Sequence, residues 1–235
     1  MRDVSELWAA RLIRIAFVIL CVRLFPHAGV VLADLSSVDT SGYVWDFIHH
    51  GVQLVLGLGI MLLFSRSFSL RDIGFNLNHW RWSLKVTARF AVGWTIAMIL
   101  VVLLTDTASM TNPTSGDLLF AWTLNGLSEE VLFRAFIIGM LYPVFPKMYP
   151  IFGKNISAAG IFSVVLFALA SVSISFVPFS ITCIDPMQQL SVLGLGLFFV
   201  IMFEHTHSLL GPVLAHNLSR GILLMILFIM HHLGT

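Results

Sequence analysis

Charge is what this chain has least of. Only 11% of its 235 residues are Asp, Glu, Lys or Arg, against about 25% in a typical soluble domain. With 58% apolar residues and a mean hydropathy of +0.94, that scarcity excludes a disordered chain and an ordinary cytosolic enzyme. The two cysteines, Cys21 and Cys183, are too few for a secreted disulfide scaffold and have no metal-ligand spacing. Neither sign of charge is in excess: 13 Lys and Arg stand against 12 Asp and Glu. Nothing is left over to neutralise a phosphate backbone, so no nucleic-acid partner is expected. Repeats and low-complexity tracts are absent as well. What remains is an integral membrane protein with lipid as its solvent.

What is present is a series of apolar runs. A helix needs about 20 mostly apolar residues to cross the hydrocarbon core. Seven stretches meet or approach that length: Leu12 to Ala33, Phe47 to Phe64, Thr87 to Thr105, Leu118 to Phe145, Ile156 to Val177, Gln188 to Phe203 and Leu209 to Met230. The expected fold is therefore all-α, a polytopic transmembrane bundle of about seven spans. The fourth run is long enough to tilt. It can also break near Gly126, with Asn125 and Ser128 as caps for the restart, which would make eight spans. A signal sequence is the alternative reading of the first run, but Arg23 interrupts it and no small-x-small cleavage site follows. Two glycosylation patterns, Asn155-Ile-Ser157 and Asn217-Leu-Ser219, fall on the inner side and within a span, where neither is expected to be modified.

Basic residues collect in alternate connections, as they do on the cytoplasmic side of a membrane. Arg2, Arg11 and Arg14 precede or open the first run. Arg66, Arg71, Arg81, Lys85 and Arg89 follow the second, and Lys147 and Lys154 follow the fourth. The opposite connections hold Asp34, Asp39, Asp46, Asp106, Asp117 and Asp185. This places the N-terminus inside and the C-terminus outside. The connection from Ser65 to Val86, with Trp80 and Trp82 among Arg and apolar residues, suits a helix lying at headgroup level.

Ionisable residues inside the spans carry the functional signal, because each costs at least about 2.5–3.5 kcal/mol at mid-bilayer. They are Glu129, Glu130, Arg134, His216 and Arg220. Glu130 and Arg134 lie one helical turn apart, in the order that favours an ion pair. Glu129 points about 100° away and lacks that partner. A carboxylate left so is suited to take a proton from water as a general base. A structural salt bridge with one protonated glutamate explains the same spacing. His216 and Arg220 share a face of the last span. Taken alone, a histidine there is more often an interhelical hydrogen bond than a catalyst. The pairs His49/His50 and His231/His232, and His205 with His207, read as solvated interfacial histidines rather than metal ligands, since no carboxylate spacing supports a site.

The run Glu129-Glu130-Val-Leu-Phe-Arg134 resembles the Glu-Glu-x-x-x-Arg signature of the CAAX-protease and bacteriocin-processing family. This family, also called Abi, comprises intramembrane peptidases and includes the type II CAAX prenyl proteases. Leu70-Arg-Asp-Ile-Gly-Phe75 with Trp80 and Trp82 resembles its amphipathic lead-in. Ala158 to Ser171 resembles its second motif, Phe-x-x-x-His. Ser208 to His216 resembles the approach to its third motif, His-x-x-x-Asn or Asp. The resemblance runs from about Leu70 to Met230, leaving 1–69 as an N-terminal two-span region and 70–235 as the family-like core. It implies that Glu129 activates water while Glu130 and Arg134 orient it. It also implies that His216 binds the water or a divalent metal such as zinc and stabilises the oxyanion. Ser171 stands at the second-motif His position and Arg220 at the third-motif Asn position. A zinc site wants about three protein ligands; Ser171 is a poor one and Arg220 repels a cation, which leaves Glu129 and His216 as weak metal candidates. Arg220 is expected to converge with the glutamates, either quieting Glu129 by pairing with it or serving as an oxyanion donor.

Three functions compete on this reading. The first is an intramembrane endopeptidase acting on a membrane-embedded or lipid-anchored peptide. The second is a catalytically degenerate relative that binds a partner, of the bacteriocin-immunity kind. The third, a transporter, lacks the paired interrupted helices that would support it. A multi-pass protein of a prokaryotic plasma membrane is the expected setting.

Overall fold

The computed structural model describes residues 4–36, 39, 42–64, 69, 71, 73–104, 112–176, 179–183 and 186–233. Arg2, Arg66, Leu70, Asp106 and Asp185, named above, lie outside the described residues. The helices are α1 (Val4–Leu35), α2 (Tyr43–Leu63), α3 (Trp80–Leu104), α4 (Ser115–Glu130), α5 (Ile137–Leu141), α6 (Ala158–Ala170), α7 (Pro186–Thr206) and α8 (Leu210–Leu233). A π-helical segment, Val131–Phe136, joins α4 to α5. Two antiparallel hairpins complete the chain: β1 (Met148–Ile151) with β2 (Lys154–Ser157), and β3 (Ser173–Phe176) with β4 (Phe179–Cys183).

Among the described residues, five helices are long and apolar enough to cross a membrane: α1, α2, α3, α7 and α8. Two of the seven expected runs, the fourth and the fifth, are not among these five. In the fifth run the helix is short: α6 has 13 residues, a rise of about 20 Å against the roughly 30 Å of a hydrocarbon core, and the rest of the run folds back as β3–β4. The fourth run does not break at Gly126. Helical backbone continues from Ser115 to Leu141, and the irregularity falls after Glu130, as wide π turns. The chain is mostly helical, as expected, and the two short hairpins are additions to that bundle. The headgroup-level helix expected before Val86 is a turn through 73–79 that leads into α3 at Trp80.

Local chemistry explains the element boundaries near the core. Helix α4 starts in a reciprocal cap: Thr114 Oγ1 accepts from the Asp117 N–H, and the Asp117 carboxylate accepts from the Thr114 N–H at 2.6 Å. Helix α2 turns His50, Gln53, Gly57 and Met61 inward, a stripe with helical spacing. The β1–β2 turn is the two-residue kind that matches strand twist, with positive φ at Phe152 (48°) and Gly153 (70°). The turn between α7 and α8 is laced to the 73–79 segment. Leu209 N donates to Gly74 O at 2.9 Å, Asn76 Nδ2 donates to His207 O at 2.6 Å and Ser208 Oγ donates to Asn76 O at 2.6 Å. Gly74 holds φ +102° there with Phe203 and Leu209 against it, a position no side chain could take.

These contacts gather the basic residues at one end of the bundle. Arg14 Nη1 reaches Met140 O at the end of α5 (3.3 Å), and the Arg11 guanidinium lies over Phe145. His79 and Trp82, at the start of α3, pack on His205 at the end of α7. Ser157, the last residue of β2 and the cap of α6, donates to Glu204. Asp34, bonded by Trp45 Nε1 at 2.8 Å, and the Asp117 cap lie at opposite ends of their helices from these contacts. The core runs along the π segment, where Val131, Leu132, Ala135 and Phe136 pack against Val18 and Met61 of α1 and α2 and against Ala159 and Val200 of α6 and α7.

Candidate active site

The π segment sets the geometry of the motif. Closing turns over five residues rather than four widens a helix and shifts the faces of the residues that follow. All six residues of the segment are buried. Its carbonyls receive help from outside the helix: Ser163 Oγ of α6 donates to Phe133 O at 2.6 Å, and Gln53 Nε2 of α2 donates to Ser128 O at 3.3 Å, just ahead of the wide turns. Distortions of this kind recur at functional positions in helices.

Glu130 and Arg134 are both fully buried, with Glu130 Oε2 3.0 Å from Arg134 Nε. The contact is an ion pair rather than an aligned hydrogen bond, and Arg134 Nη1 meets no acceptor among the described residues. Arg134 Nη2 donates to Gly196 O of α7 at 3.2 Å. The guanidinium also lies over the rings of Phe167 (4.7 Å) and Phe199 (5.5 Å), where the π faces favour a cation. A charge this deep is tolerable only with such partners.

His216 closes the cluster from α8. Its Nδ1 is 2.7 Å from Glu130 Oε1 and its Nε2 is 3.7 Å from Glu129 Oε2. Since Glu130 is a carboxylate held by Arg134, the imidazole donates at Nδ1 and turns Nε2 toward Glu129. The ring is fixed on two sides, stacked on Phe199 (5.1 Å, 18°) and edge-on to Phe167. Glu129 keeps 25% of its side chain exposed, whereas Glu130 has none. The two adjacent carboxylates thus occupy different environments.

Helix α8 reaches this depth through an exchange of hydrogen bonds with α4. Asn217 Oδ1 accepts from Gly126 N at 2.7 Å, and Asn217 Nδ2 donates to Trp122 O and Thr123 O. The side-chain amide inserts into the backbone ladder of α4 one turn before the glutamates. A Cβ on residue 126 would sit 2.6 Å from Asn217 Oδ1 and 2.9 Å from His216 Cβ. Gly126 is therefore the point of close approach rather than a break. Asn125 and Ser128 do not cap a restart either, since the helix is continuous through them.

Four of the sequence-derived residues meet: Glu129, Glu130, Arg134 and His216. The other two are placed elsewhere. Ser171 ends α6, donating to Ala168 O and accepting from Gln189 Nε2 of α7 at 2.8 Å. Arg220 is exposed, with its guanidinium over the Phe120 ring at 5.8 Å, and it forms no ion pair with either glutamate among the described residues. The expected convergence of Arg220 with the glutamates is corrected accordingly: one turn beyond His216, α8 has left the buried face.

The histidines divide. His231 and His232 are exposed, as expected. His50 is buried and bonded to Ser128 Oγ, which corrects its reading as a solvated interfacial residue. His205 and His207 lie at the basic end beside Glu204, a carboxylate held by Ser157. The signal for His50 was present as the polar pair His50 and Gln53 on one stripe of an apolar helix. For Asn217 it was the adjacent Gly126 and His216, which sequence alone does not join.

The residues present do not fit a zinc ion. Among the described residues no three His, Cys, Asp or Glu side chains are grouped to hold a metal. Glu130 already serves Arg134 and His216, leaving Glu129 and His216 Nε2, short of the three protein ligands of a catalytic zinc.

The fold and this cluster define a multi-pass membrane protein with a buried glutamate–histidine–arginine centre. Residues 111–222, which hold every motif position discussed, match the family model described as Type II CAAX prenyl endopeptidase Rce1-like, and this segment is similar to that family. The match begins after α3, so the lead-in at Leu70 to Trp82 is not part of it. No curated protein and no solved structure matches the chain.

Proposed function

We propose that the protein is an intramembrane endopeptidase that hydrolyses a membrane-embedded or lipid-anchored peptide, with Glu129 as the base. The observation that carries this reading is the unequal pair. Glu130 is tied to Arg134 and His216, while Glu129 is partly exposed and faces His216 Nε2 across 3.7 Å. That gap is too long for a direct hydrogen bond and suits a water held by both groups. Glu129 takes a proton from this water as its oxygen attacks the scissile carbonyl carbon. The tetrahedral oxyanion then collapses, the C–N bond breaks, and Glu129 returns the proton to the leaving amine. Glu130 holds the His216 ring in one orientation, as the third member of a base–orienter chain does. No step passes through a metal.

The test is peptide hydrolysis in reconstituted vesicles. Glu129→Gln should lower kcat by about 10²–10⁴, the usual contribution of a general base, and leave thermal unfolding unchanged. Equal turnover in the variant and the wild type would remove Glu129 from the role.

A second reading rests on the placement of Ser171 and Arg220. With neither at the cluster, a degenerate relative that binds a partner without cleaving it remains in competition. In that case the wild type shows no turnover on any peptide, while Glu129→Gln leaves partner binding unchanged.

A further inference from the structure

His50 has no part in the mechanism above, yet α2 buries it against the residue that precedes Glu129. Its Nδ1 lies 2.7 Å from Ser128 Oγ, and Ser128 Oγ–H is directed to Asn125 O at 2.9 Å. A serine hydroxyl has one proton. With that proton given to Asn125, the oxygen accepts from His50, which therefore carries its proton on Nδ1. One turn along α2, Gln53 Nε2 donates to the Ser128 carbonyl at 3.3 Å. Helix α2 thus holds Ser128 by side chain and backbone at once.

The arrangement is more than Ser128 requires. Its hydroxyl is already satisfied within α4 by Asn125, as serines in helices usually are. A leucine at residue 50 would cost less to bury than an imidazole, whose polar nitrogens need partners away from water. The ring is packed edge-on to Phe120 (4.9 Å) and against His49 (4.6 Å), so it has little freedom to swing. His50 therefore places a costly buried group on the Ser128 side chain, next in sequence to Glu129, while Gln53 holds the Ser128 carbonyl.

We propose that His50 is a positioning residue of the site, fixing through Ser128 the turn of α4 that aims Glu129 at His216. This rests on the reading of Glu129 as the base. A displacement of 1 Å in a reacting group can cost about 10² in rate, which is the scale on which such a clamp acts.

The experiment compares His50→Phe, His50→Asn and Ser128→Ala in the full chain in vesicles. Phenylalanine keeps the packing on Phe120 but has no donor. Asparagine puts an amide N–H near the place of Nδ1. Two readouts are taken: kcat and KM for peptide hydrolysis, and modification of Glu129 by a hydrophobic carbodiimide, followed by mass spectrometry. His50→Phe should lower kcat by roughly ten- to a hundredfold with little change in KM or unfolding temperature, and His50→Asn should restore most of the loss. In the Ser128→Ala background, His50→Phe should cost nothing further, since the acceptor is gone. The carbodiimide rate at Glu129 should shift in His50→Phe and return in His50→Asn. An active wild type with unchanged kcat in His50→Phe overturns the positioning role and leaves the peptidase reading standing. A kcat loss that tracks the unfolding temperature and is shared by His50→Asn overturns it too. If the wild type hydrolyses nothing, the peptidase reading falls, and Glu129 labelling decides for His50 alone: a shift supports the clamp and no shift overturns it.

Discussion

A carboxylate in the interior of a membrane bundle survives by what it touches, and the two glutamates of this chain touch different things. Glu130 meets Arg134 and His216 with none of its side chain exposed. Removing one member of such a buried pair strands the other charge, at a cost of about 3–5 kcal/mol. Glu130→Gln is therefore expected to lower the unfolding midpoint in detergent markedly, whereas Glu129→Gln should leave it near the wild-type value. Scanning calorimetry or a thiol-reactive dye assay on the two purified variants checks the contrast, and equal losses would contradict it. The Glu130–Arg134 pair was legible from spacing alone, because four residues along a helix is a contact whatever surrounds it. Arg220 was not. It shares a helix face with His216, but whether that face still points inward one turn later depends on where α8 leaves its neighbours. Here Arg220 emerges beside Phe120 instead.

Between residues and fold stands the long helical run from Ser115 to Leu141. Its sequence announced an irregularity near the glutamates without saying which kind. Gly126 suggested a break, since glycine weakens a helix by about 1 kcal/mol relative to alanine. In the structure the glycine lets Asn217 and the α8 backbone come close, and the real irregularity is the π segment after Glu130. Nothing in the local sequence marks a π turn, because it depends on donors such as Ser163 and Gln53 from other helices. Gly126→Ala separates the two views. If Gly126 merely weakens the helix, alanine stabilises. If it is a contact point, a Cβ 2.6 Å from Asn217 Oδ1 should destabilise by about 1–3 kcal/mol, the usual cost of overpacking. Denaturation of the variant gives the sign directly. Ser163→Ala should cost a further 1–3 kcal/mol or so, the penalty for a buried carbonyl left without its donor.

At the scale of the whole molecule, composition identified the solvent and the alternation of basic connections identified the two ends of the bundle. The contacts of Arg11, Arg14 and the 73–79 turn gather at one end. Which side of the membrane that end faces rests on the charge rule. Single cysteines at Ser36 and Lys147, in a background lacking Cys21 and Cys183, should label differently with an impermeant reagent added outside: Ser36 readily, Lys147 only after permeabilisation. Labelling of both from outside would overturn that orientation. The number of crossings was less legible. The run Ile156 to Val177 has the hydropathy of a span, but Ala170 ends its helix and a hairpin follows. Hydropathy reports what lipid or a protein core will accept, not how far a helix extends. The match over 111–222 runs from the start of α4 into α8 and includes the four converging residues.

The central claim is that Glu129 directs water to a peptide bond. The most direct measurement is proteolysis by the reconstituted protein in oxygen-18-labelled water, with a panel of membrane-embedded and lipid-anchored peptides and mass analysis of the products. The wild type should place a single labelled oxygen in each new C-terminal carboxyl group, and Glu129→Gln should release no product above background. Product formed by Glu129→Gln at the wild-type rate, with the same label, would contradict the account.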